Sequence, residues 1–299
     1  MEETIKSKKF FDKIKLSIPS DEEFEAMHRK QFEANKQNPN AISYWYPKTK
    51  VFFRTPYTEI IQMPWEIWDK LSKIEENLIS DEELTVWVKD ALYRKYGGAI
   101  SENDKFMKLG SFSGKFNFDN CFIRRGEFEK VGKKLKNIVY DCLLFGCEFI
   151  PEVAVRYFIE TPYDRPSIYN GMKLNTEFRV FVNFDMKEVM GIVNYWDYDT
   201  MMKGIYDESD KKTFQSVGRD IEKDFNFRKG DLEQLVDHKL HLKNSPKLIG
   251  IWSMDFLWDG KNFILIDMAL AQQSYYYDKI YPEWESRLKE FYKAKESEE

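Results

Sequence analysis

Apolar residues step by three and four along some stretches of this chain and alternate along others, and the two periods divide it into helices and strands. From Ser20 the sequence SDEEFEAMHRKQF opens with Ser20 and Glu23 as a capping box and puts Phe24, Met27 and Phe32 on one helical face. Between Ser43 and Ile61, SYWYPKTKVFFRTPYTEII has broken apolar runs punctuated by Pro47 and Pro56, which predicts strands and turns. Two helices are expected next. One starts near Pro64; the other opens at Ser80 and Glu83, carries Leu84, Trp87, Ala91 and Leu92 inward and stops at Gly97-Gly98. A helix over Glu127–Phe145 turns Phe128, Val131, Leu135, Ile138 and Cys142 to one side.

Strands then dominate. FIPEVAVRYFIE, from Phe149 to Glu160, predicts a buried strand, and further strands are expected over 176–184, 188–195, 248–258 and 262–268. Among them lies a polar insertion, 197–245, expected to hold one or two helices. Hairpin signals late in the chain favour an α+β fold with antiparallel sheets over a doubly wound parallel sheet. The expected organisation is a helical N-terminal extension over 1–42, a smaller lobe within 43–160, and a larger lobe over 161–299 that includes the insertion.

Composition narrows the function. The chain of 299 residues is globular in composition and carries a formal charge of −5, so it is not a bulk electrostatic binder of nucleic acid or anionic lipid, although a local basic groove stays open. Cys121, Cys142 and Cys147 are odd in number and lack metal-ligand spacing, which points to a reducing compartment. No apolar run approaches the roughly 20 residues of a membrane span, and MEETIKSKKFFDK lacks a secretory apolar region, so a cytoplasmic location is expected. His28, His238 and His241 have no nearby nucleophile and suggest neither a triad nor zinc.

Three stretches carry candidate chemistry. In FMKLGSFSGKFNF, Lys108 and Lys115 bracket a Gly/Ser loop between two strand-like segments; this is either an exposed hairpin turn or a phosphate cradle. In NTEFRVFVNF, Phe178, Val180, Val182 and Phe184 share one strand face, and Glu177, Arg179, Phe181 and Asn183 the other. Arg179 there makes a cross-strand ion pair or faces a site that takes phosphate or carboxylate. In IWSMDFLWDGKNFILIDMAL, Asp255 and Asp267 interrupt apolar strands joined near Asp259-Gly260. Buried strand acids must be paired or metal-bound, and two on neighbouring strands suit Mg²⁺. A two-residue turn would set them on opposite faces, so the metal reading requires an odd-length loop or a bulge.

The order of these motifs, rather than any one of them, resembles the ATP-grasp superfamily over roughly Ser43 to Ser274. That resemblance implies two lobes clamping ATP and Mg²⁺. By it, Lys108 is the lysine of the small-lobe strand, Ser111, Ser113, Gly114 and Lys115 form the flap, and Lys48 or Lys50 is a further nucleotide lysine. Phe158 and Ile159 offer hinge backbone groups to adenine, and Glu160 reaches the ribose. Arg179 and Lys115 act on the transferred phosphate, and Asp255 and Asp267 hold Mg²⁺. The strings WYPK, S-x-K and IDM-A look like those of small phage-type ATP-grasp proteins; more distantly the chain resembles the ATP-grasp assembly chaperones of eukaryotic translation initiation factor two. It departs from the family at Asp267-Met268-Ala269, where an acid-x-Asn is usual, leaving Gln272 or Ser274 as substitutes. The implied activity is ATP-dependent ligation of a carboxylate to an amine on a small molecule or a protein. An ATP-binding assembly factor and an RNA-end ligase are the alternatives.

Overall fold

A computed structural model describes residues 20–96 and 102–298; the charged N-terminal stretch and the Gly97-Gly98 stop lie outside them. Helix α1 (Asp21–Lys36) begins with the expected capping box, the Ser20 hydroxyl accepting from the Glu23 N–H and the Glu23 carboxylate from the Ser20 N–H. Of its three expected inward residues Phe32 is buried, whereas Phe24 and Met27 are exposed. Phe32 packs on Trp65 and Trp68 of α3 (Trp65–Ser72).

Between them the structure corrects the pattern reading. Ile42–Thr49 is a helix, α2, and only Thr58–Gln62 is a strand, β1. Ile42, Trp45, Tyr46 and Thr49 are all buried, which is the i, i+3, i+4, i+7 stripe of a helix. Pro47 punctuates the sequence but sits on the exposed side, where losing one backbone donor is tolerated.

Helix α4 (Asp81–Tyr96) starts at the Ser80–Glu83 box and buries Leu84, Val88 and Leu92. Strand β2 (Lys105–Leu109) is followed by the Gly/Ser loop, but the second half of the expected hairpin is not a strand. Lys115–Asn117 is a 3₁₀ turn leading into the short α5 (Phe118–Cys121), and the chain returns to β2 only at β3 (Phe122–Ile123). The long helix α6 (Val131–Leu144) and the turn before it bury Phe128, Val131, Leu135, Ile138 and Cys142 as expected. Helices α4 and α6 approach closely at Gly132, where a Cβ would lie 2.0 Å from the Asp81 carbonyl oxygen. Gly132→Ala should therefore lower unfolding stability by about 2 kcal/mol, read from urea denaturation. With β4 (Glu152–Tyr157) the small-lobe sheet is antiparallel in the order β1-β4-β2-β3.

The larger lobe begins after a small hairpin, β5 (Ser167–Ile168) and β6 (Met172–Lys173). Its sheet runs in the order β10-β9-β7-β8, with β7 (Glu177–Asn183), β8 (Glu188–Asn194), β9 (Ile251–Trp258) and β10 (Phe263–Leu270). The polar insertion forms α7 (Tyr198–Gly204) and α8 (Glu208–Leu240). Phe178, Val180 and Val182 share a core with Trp252, Met254 and Phe256 of β9 and with Phe225, Leu232 and Val236 of α8. Ile42, Trp45 and Tyr46 of α2 join the same core, so the first residues of the 43–160 stretch pack under the second sheet. A final helix, α9 (Tyr277–Glu298), was not expected from the pattern; it adds Leu288 to a core with Phe181 and Tyr276. No helix among the described residues is long and apolar enough to cross a membrane.

Candidate functional site

The alternation of β7 puts Glu177 and Arg179 opposite its apolar face, and strand register decides what they meet. Arg179 lies directly across from Asp255 of β9 and holds it with two hydrogen bonds, both 2.8 Å. The β9–β10 loop is the four residues 259–262, an even number that alone would misplace the second acid. A bulge between Leu265 and Asp267 supplies the missing residue and sets Asp267 directly opposite Asp255, as the metal reading required. The two carboxylates thus share one face.

The small lobe brings its cations to that face. Lys108 of β2 is fully buried and its Nζ lies 2.7 Å from Asp267 Oδ2 across the lobe boundary. Arg156 of β4 donates to the Ile266 carbonyl and lies 4.8 Å from the Phe106 ring. Lys115, returned by the 3₁₀ turn, sits 3.6 Å from Glu177. Both Lys115 Nζ and Glu177 Oε2 are buried without a hydrogen-bond partner. They face each other as a buried ion pair longer than a hydrogen bond, and both residues line the neighbouring cleft.

Electrostatics follow the geometry. Burial pushes the Lys108 ammonium down and Asp267 opposes it. Burial likewise works against charge on Asp267, but Lys108 and Arg156 reverse it and hold the carboxyl below its ordinary 3.8. Glu177 is pushed up, by burial first, with Lys115 opposing and Asp255 reinforcing. Burial opposes charge on Lys115, yet Tyr195, Glu177 and Asp255 together keep its pKa above the lysine norm. A carboxylate lowered by folding contributes stability that is complete above its unfolded pKa and is lost as the pH falls through the folded value. Asp267→Asn should therefore flatten the loss of stability below about pH 4, measured by urea unfolding across the acid range. Glu177, shifted upward, contributes with the opposite sign and is common to both chains.

A cleft adjoins these groups, lined by Phe106, Phe118, Phe158, Ile159, Leu257 and Ile266 together with Lys115, Arg156, Lys173 and Glu177. Apolar walls with a few convergent charges suit a base joined to phosphates. Phe158 and Ile159 line it, but the Phe158 N–H is already donated to the Asp104 carbonyl, which removes that group from base recognition. Glu160 is exposed beyond the lining. In the flap, Ser111 is exposed and donates to the Glu148 carbonyl, the Ser113 carbonyl accepts from Cys121, and Gly114 takes φ +57°, with a Cβ there meeting Cys121 Sγ at 2.9 Å. Those three residues hold the loop to its own lobe; Lys115 alone of the flap set lines the cleft.

Lys48 is not brought in. Its Nζ sits 3.3 Å above the Tyr44 ring, which stacks on Trp252 on the apolar side of the second sheet, opposite Arg179 and Asp255. Lys50 lies 5.4 Å from the Tyr46 ring. At the departure from the family pattern, Ala269 faces Ser253; Ser253 and Ser274 share a 2.6 Å hydrogen bond, and Gln272 is exposed. Among the described residues no three His, Cys, Asp or Glu side chains gather to hold a metal ion. Asp255 and Asp267 fit a divalent ion that completes its shell with phosphate oxygens, once Arg179 and Lys108 transfer their contacts to the same phosphates.

Arg156 and Tyr195 were missed at the level of sequence. Arg156 read from the sequence as a structural residue, facing solvent or an ion pair; the pairing of Ala154 with Lys108, which brings it to the site, is decided by sheet order. Tyr195 carried no signal.

No family model and no curated protein matches this chain. Among solved structures it is similar to Cdc123 from Schizosaccharomyces pombe, at 16% identity over 77% of this chain and 83% of that one, with a TM-score of 0.43. It is also similar to a RimK domain ATP-grasp protein from Sphaerobacter thermophilus, at 10% identity, 75% and 55% coverage and a TM-score of 0.31. A third is N5-carboxyaminoimidazole synthetase from Staphylococcus aureus in complex with ADP, at 8% identity, 76% and 42% coverage and a TM-score of 0.31. At these values the site's own geometry has to carry the functional argument.

Proposed function

We propose that the cleft binds ATP with Mg²⁺ and that the chain is an ATP-dependent ligase joining a carboxylate to an amine. One observation carries this reading: cations of β2 and the loop after it meet acids of the second sheet beside the cleft, Lys108 with Asp267 and Lys115 with Glu177. Lys108, Arg156 and Lys115 would neutralise the phosphates, the apolar walls would take the base, and Asp255 and Asp267 would hold the metal. Mg²⁺, when bound, would neutralise part of the phosphate charge. A substrate carboxylate oxygen would bond to the γ-phosphorus as the bond to ADP breaks. An amine would then displace phosphate from the acyl carbon, releasing a proton. Arg179, held here by Asp255 and the Tyr275 carbonyl, would steady the transferring group. The Gly/Ser loop ending at Lys115 would keep water from the acyl phosphate.

Isothermal titration with Mg·ATP, followed by nucleotide product assay over a panel of carboxylates and amines, tests this. Binding and substrate-dependent ADP release are expected. Binding without turnover, alongside a co-purifying protein, would instead support an assembly factor, the reading favoured by Ala269 at the usual Asn position. AMP with pyrophosphate would support an RNA-end ligase. Absence of Mg·ATP binding overturns all three.

A further inference from the structure

The ring of Tyr195 lies against two cations that reach it from different lobes. Lys115 Nζ is 4.0 Å from its centroid and the Arg179 guanidinium carbon 4.9 Å. Strand register explains the placement. Arg179 pairs with Val193, and the Tyr195 N–H continues the ladder by donating to the Glu177 carbonyl at 3.1 Å. Tyr195 therefore stands beside Glu177 on the cleft face, between the flap's lysine and the arginine of β7. Lys115 Nζ has no hydrogen-bond partner. What holds it in place is the Glu177 charge at 3.6 Å and the negative face of the aromatic ring.

We propose that Tyr195 is a positioning residue whose ring clamps the flap's Lys115 and the large lobe's Arg179 side by side, setting the closed position of the flap before nucleotide arrives. Its consequence for ligand affinity rests on the reading of the cleft as a nucleotide site; the clamp itself does not. The ring face touches both cations and so makes the clamp, while the hydroxyl adds to the hold on Lys115.

Hydrogen exchange at the amides of residues 112–117 in the ligand-free chain tests the clamp. Tyr195→Leu should speed exchange there about tenfold, and Tyr195→Phe should stay within about twofold of wild type. Unchanged exchange in Tyr195→Leu overturns the proposal. So does Tyr195→Phe exchanging as fast as Tyr195→Leu, because the hydroxyl would then be the cause. Should Tyr195→Leu fail to fold, phenylalanine bearing one, two or three ring fluorines at this position keeps the volume while draining the ring face. Exchange should rise with each fluorine, and a flat series overturns the clamp. A separate titration with Mg·ATP should show about tenfold weaker binding in Tyr195→Leu than in wild type. Equal affinity removes Tyr195 from the working of the cleft. If wild type itself binds no Mg·ATP, the nucleotide reading fails while the exchange result still decides the clamp.

Discussion

Lys108→Met is expected to abolish tight Mg·ATP binding and to lower the unfolding free energy by about 3–5 kcal/mol. The lysine is fully buried, and its ammonium is 2.7 Å from Asp267 across the lobe boundary. Methionine keeps the length and removes the charge, so packing changes little while Asp267 keeps only the Met268 N–H and the fields of Arg156 and Lys115. A buried carboxylate deprived of its main partner loses far more than the pair contributes when intact, because its desolvation is no longer offset. Pairing Lys108→Met with Asp267→Leu should recover most of the stability in urea denaturation, since neither charge is then stranded. It should not recover binding. Titration calorimetry should show affinity reduced about a hundredfold or more in both variants. A Lys108→Met chain that binds Mg·ATP as wild type does would mean that the β2 lysine is a structural strut between the lobes.

Arg179→Ala is expected to lower turnover about 10²- to 10³-fold while changing Mg·ATP affinity much less. The guanidinium pairs with Asp255, which is only 5% exposed, through two 2.8 Å hydrogen bonds. Removing it takes away the guanidinium that β7 sets against Asp255. Equal losses in turnover and affinity would assign the residue to ground-state binding. Arg179→Lys should rescue poorly, because an ammonium cannot reproduce the planar fork. Stability gives a second reading. Without Arg179, Asp255 loses both of its side-chain hydrogen bonds while facing Asp267, and the chain should lose about 3–5 kcal/mol. Mg²⁺ should then raise the melting temperature of Arg179→Ala more than that of wild type. An equal response in both would argue against these aspartates as metal ligands.

Much of the fold was legible because its signals are local. Ser20 with Glu23 and Ser80 with Glu83 mark helix starts that hold in three dimensions. The stepping of Val131, Leu135, Ile138 and Cys142 identifies a helix with one buried face, and the alternation in NTEFRVFVNF separates Arg179 from Phe178. Even the bulge before Asp267 followed from requiring two acids to share a face across an even-length loop. The failures have equally definite causes. Pro47 read as a breaker and hid the helical stripe of Ile42, Trp45, Tyr46 and Thr49, and with it the fact that Lys48 lies on the wrong side of the sheet. The symmetry of two lysines about a Gly/Ser loop suggested a second strand, whereas a 3₁₀ turn carries Lys115 back to the cleft.

By itself the sequence determined two capped helix starts, the buried face of α6 and the two faces of β7 that set Arg179 apart from Phe178. Those properties depend on neighbours two to four residues away. Only the tertiary structure decided which charge meets which: Lys108 with Asp267 across 159 positions, Arg179 with Asp255 across 76, and Tyr195 between two lobes. Pairing at that separation is set by sheet order and lobe packing, and a charge on one strand carries no local trace of the strand that will face it.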